Sequence, residues 1–296
     1  MRWLYHVLRI EELSWQVDAR YAPASLAREG FLHTSYANLV AESAALYFPA
    51  DAELRVLAID PRRLDVGVDV VDTPRGPMPH VKGSIPMDAI RILELSAMTN
   101  APDVVSGTRV GFAAYEGMTL LDLVGPFDAL SRIASMGFDP TTTCEVFSLL
   151  DGPVFEGSGL TLTARRHRPP LETFDVLVIP GGIEARLLAM DGALSHYLGS
   201  FPSNRLLASV CTGALLLGPR LQGKRATTHA SALERLPAFG AHPVCERVVD
   251  AGQLVTAAGV TAGIDLGLHL VRRLMGDEAA DAIARQMECH FHPWSP

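Results

Sequence analysis

At 296 residues the chain is long enough for two domains, and its 48% hydrophobic content can fill two cores. The formal charge is −8, spread as 10 basic against 13 acidic residues in 1–100 and 15 against 20 thereafter, so a nucleic-acid partner lacks its electrostatic footprint. No apolar run is long enough to span a bilayer and the first residues carry no signal-peptide pattern, so no membrane role and a cytoplasmic location are expected. In chain order, residues 3–8 read as a strand and 11–20 as a helix. Ser35 is placed to N-cap a helix reaching about Phe48, with Ala37, Val40 and Ala44 on one face. Residues 54–59 form a strong strand stopped by Asp60-Pro61, and 66–71 alternate as another. Residues 74–79, with three prolines and a glycine, read as a loop, and 90–95 as a last strand. Strands outnumber helices, which makes residues 1–96 a small α+β domain. Residues 97–107 have no sustained period and are taken as a linker to a second domain, 108–296.

Three histidines of the first domain, His6, His33 and His80, fall at or near strand ends. Any one of them is more often a satisfied structural imidazole than a functional group. Their contexts, Tyr5-His6-Val7, Gly30-Phe-Leu-His33-Thr-Ser35, Leu57-Ala-Ile-Asp60-Pro61 and Met78-Pro-His80-Val-Lys-Gly83, resemble a small bacterial domain family with an ADP-ribosyltransferase-like fold. The resemblance covers about residues 2–95 and implies a cleft near His6, His33 and Ser35. It implies no known reaction, and no transferase glutamate is evident.

The second domain opens with a strand at 108–114, turned by Tyr115-Glu116-Gly117. A helix follows over about 119–136, with Pro126 expected to start or kink a turn. Strands are read at 144–149 and 174–179, with a strand or hairpin at 154–164 between them. The run at 174–179 does not alternate, as in a parallel sheet covered on both faces. Helical segments run to about 198, a strand fills 206–210, and a helix occupies 212–217 with Gly218 as its C-cap. A short strand end at 226–229, a hairpin at 244–249 and 254–256, and helices at 260–275 and 277–289 complete it. Strands alternating with helices predict an α/β domain.

Chemistry gathers around Cys211. Leu206 to Val210 is apolar, and Cys211 stands where that strand turns into Thr212-Gly213 and the next helix. A side chain there projects at the carboxyl edge of the sheet, where open α/β sheets place their sites. The helix N-terminus favours a thiolate, the reactive form of cysteine. The competing reading is a buried structural thiol. Asp122, alone in an apolar run, suits a proton partner of the sulfur, although a helix-start carboxylate is the plainer reading. Gly181 and Gly182 let backbone N–H groups form an anion pocket with that of Thr212, and so are expected to bind substrate. The Thr212 hydroxyl can donate and accept beside the sulfur. His229 is expected as a base or a substrate contact, with a structural role equally open. The four cysteines are dispersed and read as reduced thiols. The cluster Cys289-His-Phe-His292 is read as incidental, so no metal is expected.

Six motifs in order carry a second resemblance: Leu-Asp-Leu-Val-Gly-Pro-Phe-Asp (121–128), Val-Ile-Pro-Gly-Gly (178–182), Ser-Val-Cys-Thr-Gly-Ala-Leu-Leu-Leu-Gly (209–218), Arg-Ala-Thr-Thr-His (225–229), Glu-Arg-Val-Val-Asp-Ala-Gly (246–252) and Thr-Ala-Ala-Gly-Val-Thr-Ala-Gly-Ile-Asp (256–265). They resemble the ThiJ/PfpI superfamily, and within it the isonitrile hydratase branch, over about 108–290. The resemblance implies a flavodoxin-like parallel sheet with helices on both faces and a homodimer acting on a small molecule without cofactor or metal. It also implies Cys211 as nucleophile, Asp122 as its acid/base partner and Thr212 as a required neighbour. Protease and glyoxalase-like members commonly carry His after the cysteine, where this chain has Thr212. The same Cys-Thr-Gly motif occurs in sensory domains of transcription regulators with an appended helix-turn-helix domain, for which no room is expected after about residue 290. Hydration of another small electrophile and a non-catalytic redox or ligand sensor remain the alternatives.

Overall fold

The computed structural model describes residues 2–14, 20–101, 107–150, 154–155, 159–164 and 166–289, and contacts divide the chain into units 1–105 and 106–296. The first unit runs β1 (Leu4–Arg9), β2 (Arg20–Tyr21), α1 (Ala24–Glu29), β3 (Leu32–His33), α2 (Val40–Tyr47), β4 (Leu54–Ile59), β5 (Val68–Thr73), β6 (Gly76–Val81), β7 (Ile85–Pro86) and β8 (Ile90–Glu94). Two three-stranded antiparallel sheets, β1-β4-β8 and β3-β6-β5, are joined where Tyr5 and Ser35 exchange backbone hydrogen bonds of 2.9 and 2.8 Å. Strand β1 alternates: Leu4 and Leu8 enter a core with Tyr21, Leu32 and Leu57, while Trp3, Tyr5 and Val7 enter another with Val40 and Ala44 of α2.

Four expectations for this unit change. The segment read as a helix over 11–20 holds a 3-10 turn at Ile10–Glu12 and the start of β2 at Arg20, with 15–19 outside the described residues. Ser35 caps no helix: its backbone is committed to Tyr5, a 3-10 turn at Ala37–Leu39 intervenes before α2, and its hydroxyl instead bonds Ser43 Oγ at 3.1 Å. The proline-rich 74–79 stretch is half of a hairpin, because β6 pairs along its whole length with β5. On its other side β3 reaches only His80 and Val81, so Pro77 and Pro79 interrupt no second ladder. The region read as a linker carries a 3-10 segment, Leu95–Asn100, and residues 102–106 lie outside the described residues.

The second unit runs β9 (Arg109–Ala114), α3 (Leu120–Ser135), β10 (Thr143–Ser148), β11 (Val154–Phe155), β12 (Thr161–Leu162), β13 (Val176–Ile179), α4 (Ala185–Leu188), α5 (Gly192–Gly199), β14 (Leu206–Val210), β15 (Arg225–Ala226), β16 (His242–Pro243), β17 (Val248–Asp250), β18 (Leu254–Ala257), α6 (Ala262–Met275) and α7 (Asp277–Gln286). Its sheet has the order β10-β9-β13-β14-β18-β17, parallel throughout except for the antiparallel edge strand β17. This is a flavodoxin-like fold. Every residue of β13 and β14 is buried, as strands covered on both faces require. Helices α3, α6 and α7 pack on one another, whereas α4 and α5 pack against the segment that follows β14.

That segment, Cys211–Leu221, is 3-10 in character and breaks at Gly218, where φ is +53°. Helix α3 runs on through Pro126 and does not start there. The proline lacks only the N–H that would have bonded the Asp122 carbonyl, and its ring lies against Gly263 of α6, where no side chain competes.

Candidate active site

Cys211 follows the last residue of β14 with φ of +57°, in the left-handed region that a non-glycine residue enters only when its surroundings hold it there. The restraint is visible: its N–H donates to the Ala258 carbonyl at 2.9 Å, and its carbonyl accepts from Thr228 Oγ1 at 2.7 Å. The turn directs the thiol at the carboxyl edge of the sheet, toward the N–H groups of Thr212 and Val260, both of which hydrogen-bond the sulfur.

Asp122 comes from the first turn of α3 and is fully buried. Its Oδ2 accepts from the Gly181 N–H at 3.0 Å, and its Oδ1 is buried with no hydrogen-bond partner among the described residues. Burial pushes the carboxyl up to about 6, against the pull of the Gly181 N–H and the neighbouring Cys211 thiol. Burial and then the Asp122 charge push the thiol up as well, against the Thr212 and Val260 N–H groups. The expectation of a thiolate favoured by the helix start therefore meets a larger opposing effect: two acids in one dry site resist becoming anionic together. Burial and the Asp122 charge together hold the sulfur toward the thiol.

The Gly181-Gly182 turn is saturated with internal hydrogen bonds. The N–H of Gly181 goes to Asp122, and that of Gly182 goes to Thr212 Oγ1 at 2.9 Å. The same hydroxyl donates back to the Gly182 carbonyl at 2.8 Å. Thr212 thus spends its side chain on the turn and offers the sulfur its N–H, and the glycine amides expected to form an anion pocket are already occupied. A Cβ on Gly181 would stand 2.5 Å from Thr212 N and 2.7 Å from Cys211 Cβ, so the close approach of the two turns needs glycine there. Tyr115, Thr228 and Val260 belong to this site and escape a sequence reading. Thr228 and Val260 fall within motifs 225–229 and 256–265, and Tyr115 is the first residue beyond the carboxyl end of β9.

His229 caps the 3-10 segment Ala230–Phe239. Its Nδ1 accepts from the Ser231 N–H at 3.2 Å and lies 2.8 Å from Ser231 Oγ, which accepts from Arg186 at 3.0 Å. With Nδ1 engaged by the Ser231 N–H, Nε2 is the ring nitrogen left for a second partner. A cavity of about 290 Å³ opens beside this ring, lined also by Thr228, Leu233, Cys245, Arg247 and Gly259. Thr228 and Ala258 of its wall are the residues that hold the Cys211 backbone.

The three N-terminal histidines cluster, with the His33 and His80 ring centroids 5.0 Å apart, and Ser35 does not join them. His6 points to the Leu4–Leu8 side of β1, with Nδ1 2.8 Å from the His33 carbonyl and Nε2 3.2 Å from Tyr21 Oη. Ser35 turns its hydroxyl to α2 on the other side. His33 is exposed and paired with Glu29 at 2.7 Å, facing His80 across β3 and β6. Among the described residues no group of three His, Cys, Asp or Glu side chains could hold a metal ion, and His290 and His292 lie outside them.

Comparison with known proteins adds three findings. The model of the DJ-1/PfpI family matches residues 108–273, and that of a family described as a protein of unknown function (DUF952) matches residues 8–93. An isonitrile hydratase from Pseudomonas putida is 36% identical over 183 residues, which is 61% of this chain and 78% of that protein, and an HTH-type transcriptional regulator, CdhR, from Pseudomonas aeruginosa is 28% identical over 180 residues, 59% of this chain and 53% of the regulator. The crystal structure of a ThiJ/PfpI family protein from Pseudomonas syringae superposes with a TM-score of 0.56 at 30% identity, covering 64% of this chain and 78% of that one.

Proposed function

The chain belongs to the DJ-1/PfpI family, and from that premise we propose that its second unit is a cysteine-dependent hydratase that adds water to an isonitrile and yields an N-substituted formamide. The observation that carries the proposal is Cys211 held at φ of +57° beside a buried carboxyl whose titration is coupled to its own. The 36% identity to an isonitrile hydratase supports the choice of substrate.

In the mechanism the Cys211 sulfur bonds to the terminal carbon of the isonitrile while the proton shared with Asp122 passes to that carbon, leaving a thioimidate. Water then adds to the same carbon, Asp122 takes its proton, and the C–S bond breaks as Asp122 returns the proton to sulfur. The resulting imidic acid tautomerises to the formamide, and the protein is unchanged. The sulfur's own N–H partners, Thr212 and Val260, hold the leaving thiolate. His229 offers Nε2 to the substrate in the adjoining cavity. We take the protein to be a cytoplasmic homodimer that needs no cofactor or metal. The N-terminal unit is then an accessory whose ADP-ribosyltransferase-like character rests on its motifs.

The test is infrared loss of the isonitrile stretch with a simple alkyl or aryl isonitrile, wild type beside Cys211→Ala. Turnover by wild type alone is expected. Equal turnover by Cys211→Ala removes the proposal, and none by either protein moves the substrate to another small electrophile or the cysteine to sensing.

A further inference from the structure

One peptide unit in the site is gripped at both ends. The carbonyl of Pro180 accepts from Tyr115 Oη at 2.8 Å, and the N–H of the same peptide, on Gly181, donates to Asp122 Oδ2 at 3.0 Å. Tyr115 is fully buried, and burial holds its phenol well above its ordinary range, so it stays a donor at all working pH. Hydrogen bonds in series polarise one another: a donor on a peptide oxygen makes its N–H a better donor.

We propose that Tyr115 is a positioning residue that sets, through the Pro180–Gly181 peptide, how Asp122 and Cys211 share their proton. By strengthening the N–H that faces the carboxyl, Tyr115 favours Asp122 as carboxylate and Cys211 as thiol while the pair holds one proton. The sulfur then waits protonated, and the proton needed at the substrate carbon is already in place. The turn does not depend on Tyr115 for its shape. The carbonyls of Gly181 and Gly182 take donors from Thr119 N–H and Thr212 Oγ1, and the Ile183 N–H goes to Gly117. Removing the phenol hydroxyl therefore changes the electrostatics of one peptide and leaves the lacing around it.

The inference rests on the reading of Cys211 and Asp122 as the reacting pair, and it is tested without any substrate, so it stands or falls separately from the choice of isonitriles. Iodoacetamide alkylation of Cys211, followed by peptide mass spectrometry from pH 5 to pH 10, reports the thiolate fraction. Between the two titration steps of the pair, Tyr115→Phe raises that rate by about two- to four-fold. Above the upper step, where both groups are anionic, the rate is unchanged. In an Asp122→Asn background the same Tyr115→Phe change has no effect, because the acceptor through which Tyr115 acts has lost its charge. Incorporation of 3-fluorotyrosine at position 115, a stronger donor of nearly equal size, lowers the rate between the steps and decides the matter if Tyr115→Phe does not fold. An unchanged or lower rate for Tyr115→Phe, the same effect in the Asp122→Asn background, or no response to the fluorinated phenol overturns the proposal.

Discussion

Asp122 sets activity against stability. Its folded-state titration lies near 6, above that of an unfolded aspartate, so the stability it contributes is complete below about pH 4 and is lost as pH rises through 6. Asp122→Asn keeps an acceptor for Gly181 and escapes that loss. In chemical denaturation the variant should match wild type at pH 4 and exceed it at pH 8 by up to about 3 kcal/mol. Its turnover should fall by about a hundred-fold or more, as loss of a proton-transfer group requires. His6 acts with the opposite sign. Burial lowers it to about 4, against the hydrogen bond to the His33 carbonyl, so its contribution is whole above pH 6.5 and is lost as pH falls toward 4. His6→Gln should flatten the pH dependence of N-terminal unfolding, followed by circular dichroism, across that window. Cys211 and Asp122 were legible because each breaks its local pattern, one a thiol at a strand-to-helix joint, the other a carboxylate in an apolar run. The destination of the Gly181 and Gly182 amides was not, because three segments distant in sequence supply the partners. Nor was the His229 partner, a backbone N–H two residues on.

Helix α3, which carries Asp122, packs closely on α6. Gly125, Gly263 and Gly267 let the two helices approach closely, and a Cβ on Gly267 would lie 2.8 Å from both the Pro126 Cα and the Ala129 Cβ. Gly267→Ala should therefore destabilise the second unit by about 1–3 kcal/mol in urea unfolding. The shift of α3 should reduce turnover in the folded fraction as well. Buried parallel strands were read almost to the residue, as at Leu206–Val210, because an unbroken apolar run bounded by turn residues admits few other fates. Short elements were not. Strand β6 carries Pro77 and Pro79 and looks like a loop until it is known which of its edges must bond. Ser35 has the composition of a cap, yet a pairing with Tyr5, thirty residues earlier in the chain, claims its backbone first.

Each of the two units of the whole molecule has its own core, and every residue assigned to the reaction lies in the second. A chain of residues 106–296 should fold and turn over a small isonitrile at the rate of the full protein, measured by the same infrared assay. A loss confined to bulky isonitriles would make the N-terminal unit a filter on substrate size. Four free thiols are graded by depth across the structure: Cys211 is buried, Cys144 and Cys289 are partly covered, and Cys245 is exposed on the wall of the cavity beside His229. That grading makes Cys245 a natural attachment point for a fluorophore. A solvatochromic dye coupled there at low stoichiometry would brighten or dim as a small molecule enters, giving a direct optical titration of occupancy even in a Cys211→Ala protein that performs no chemistry.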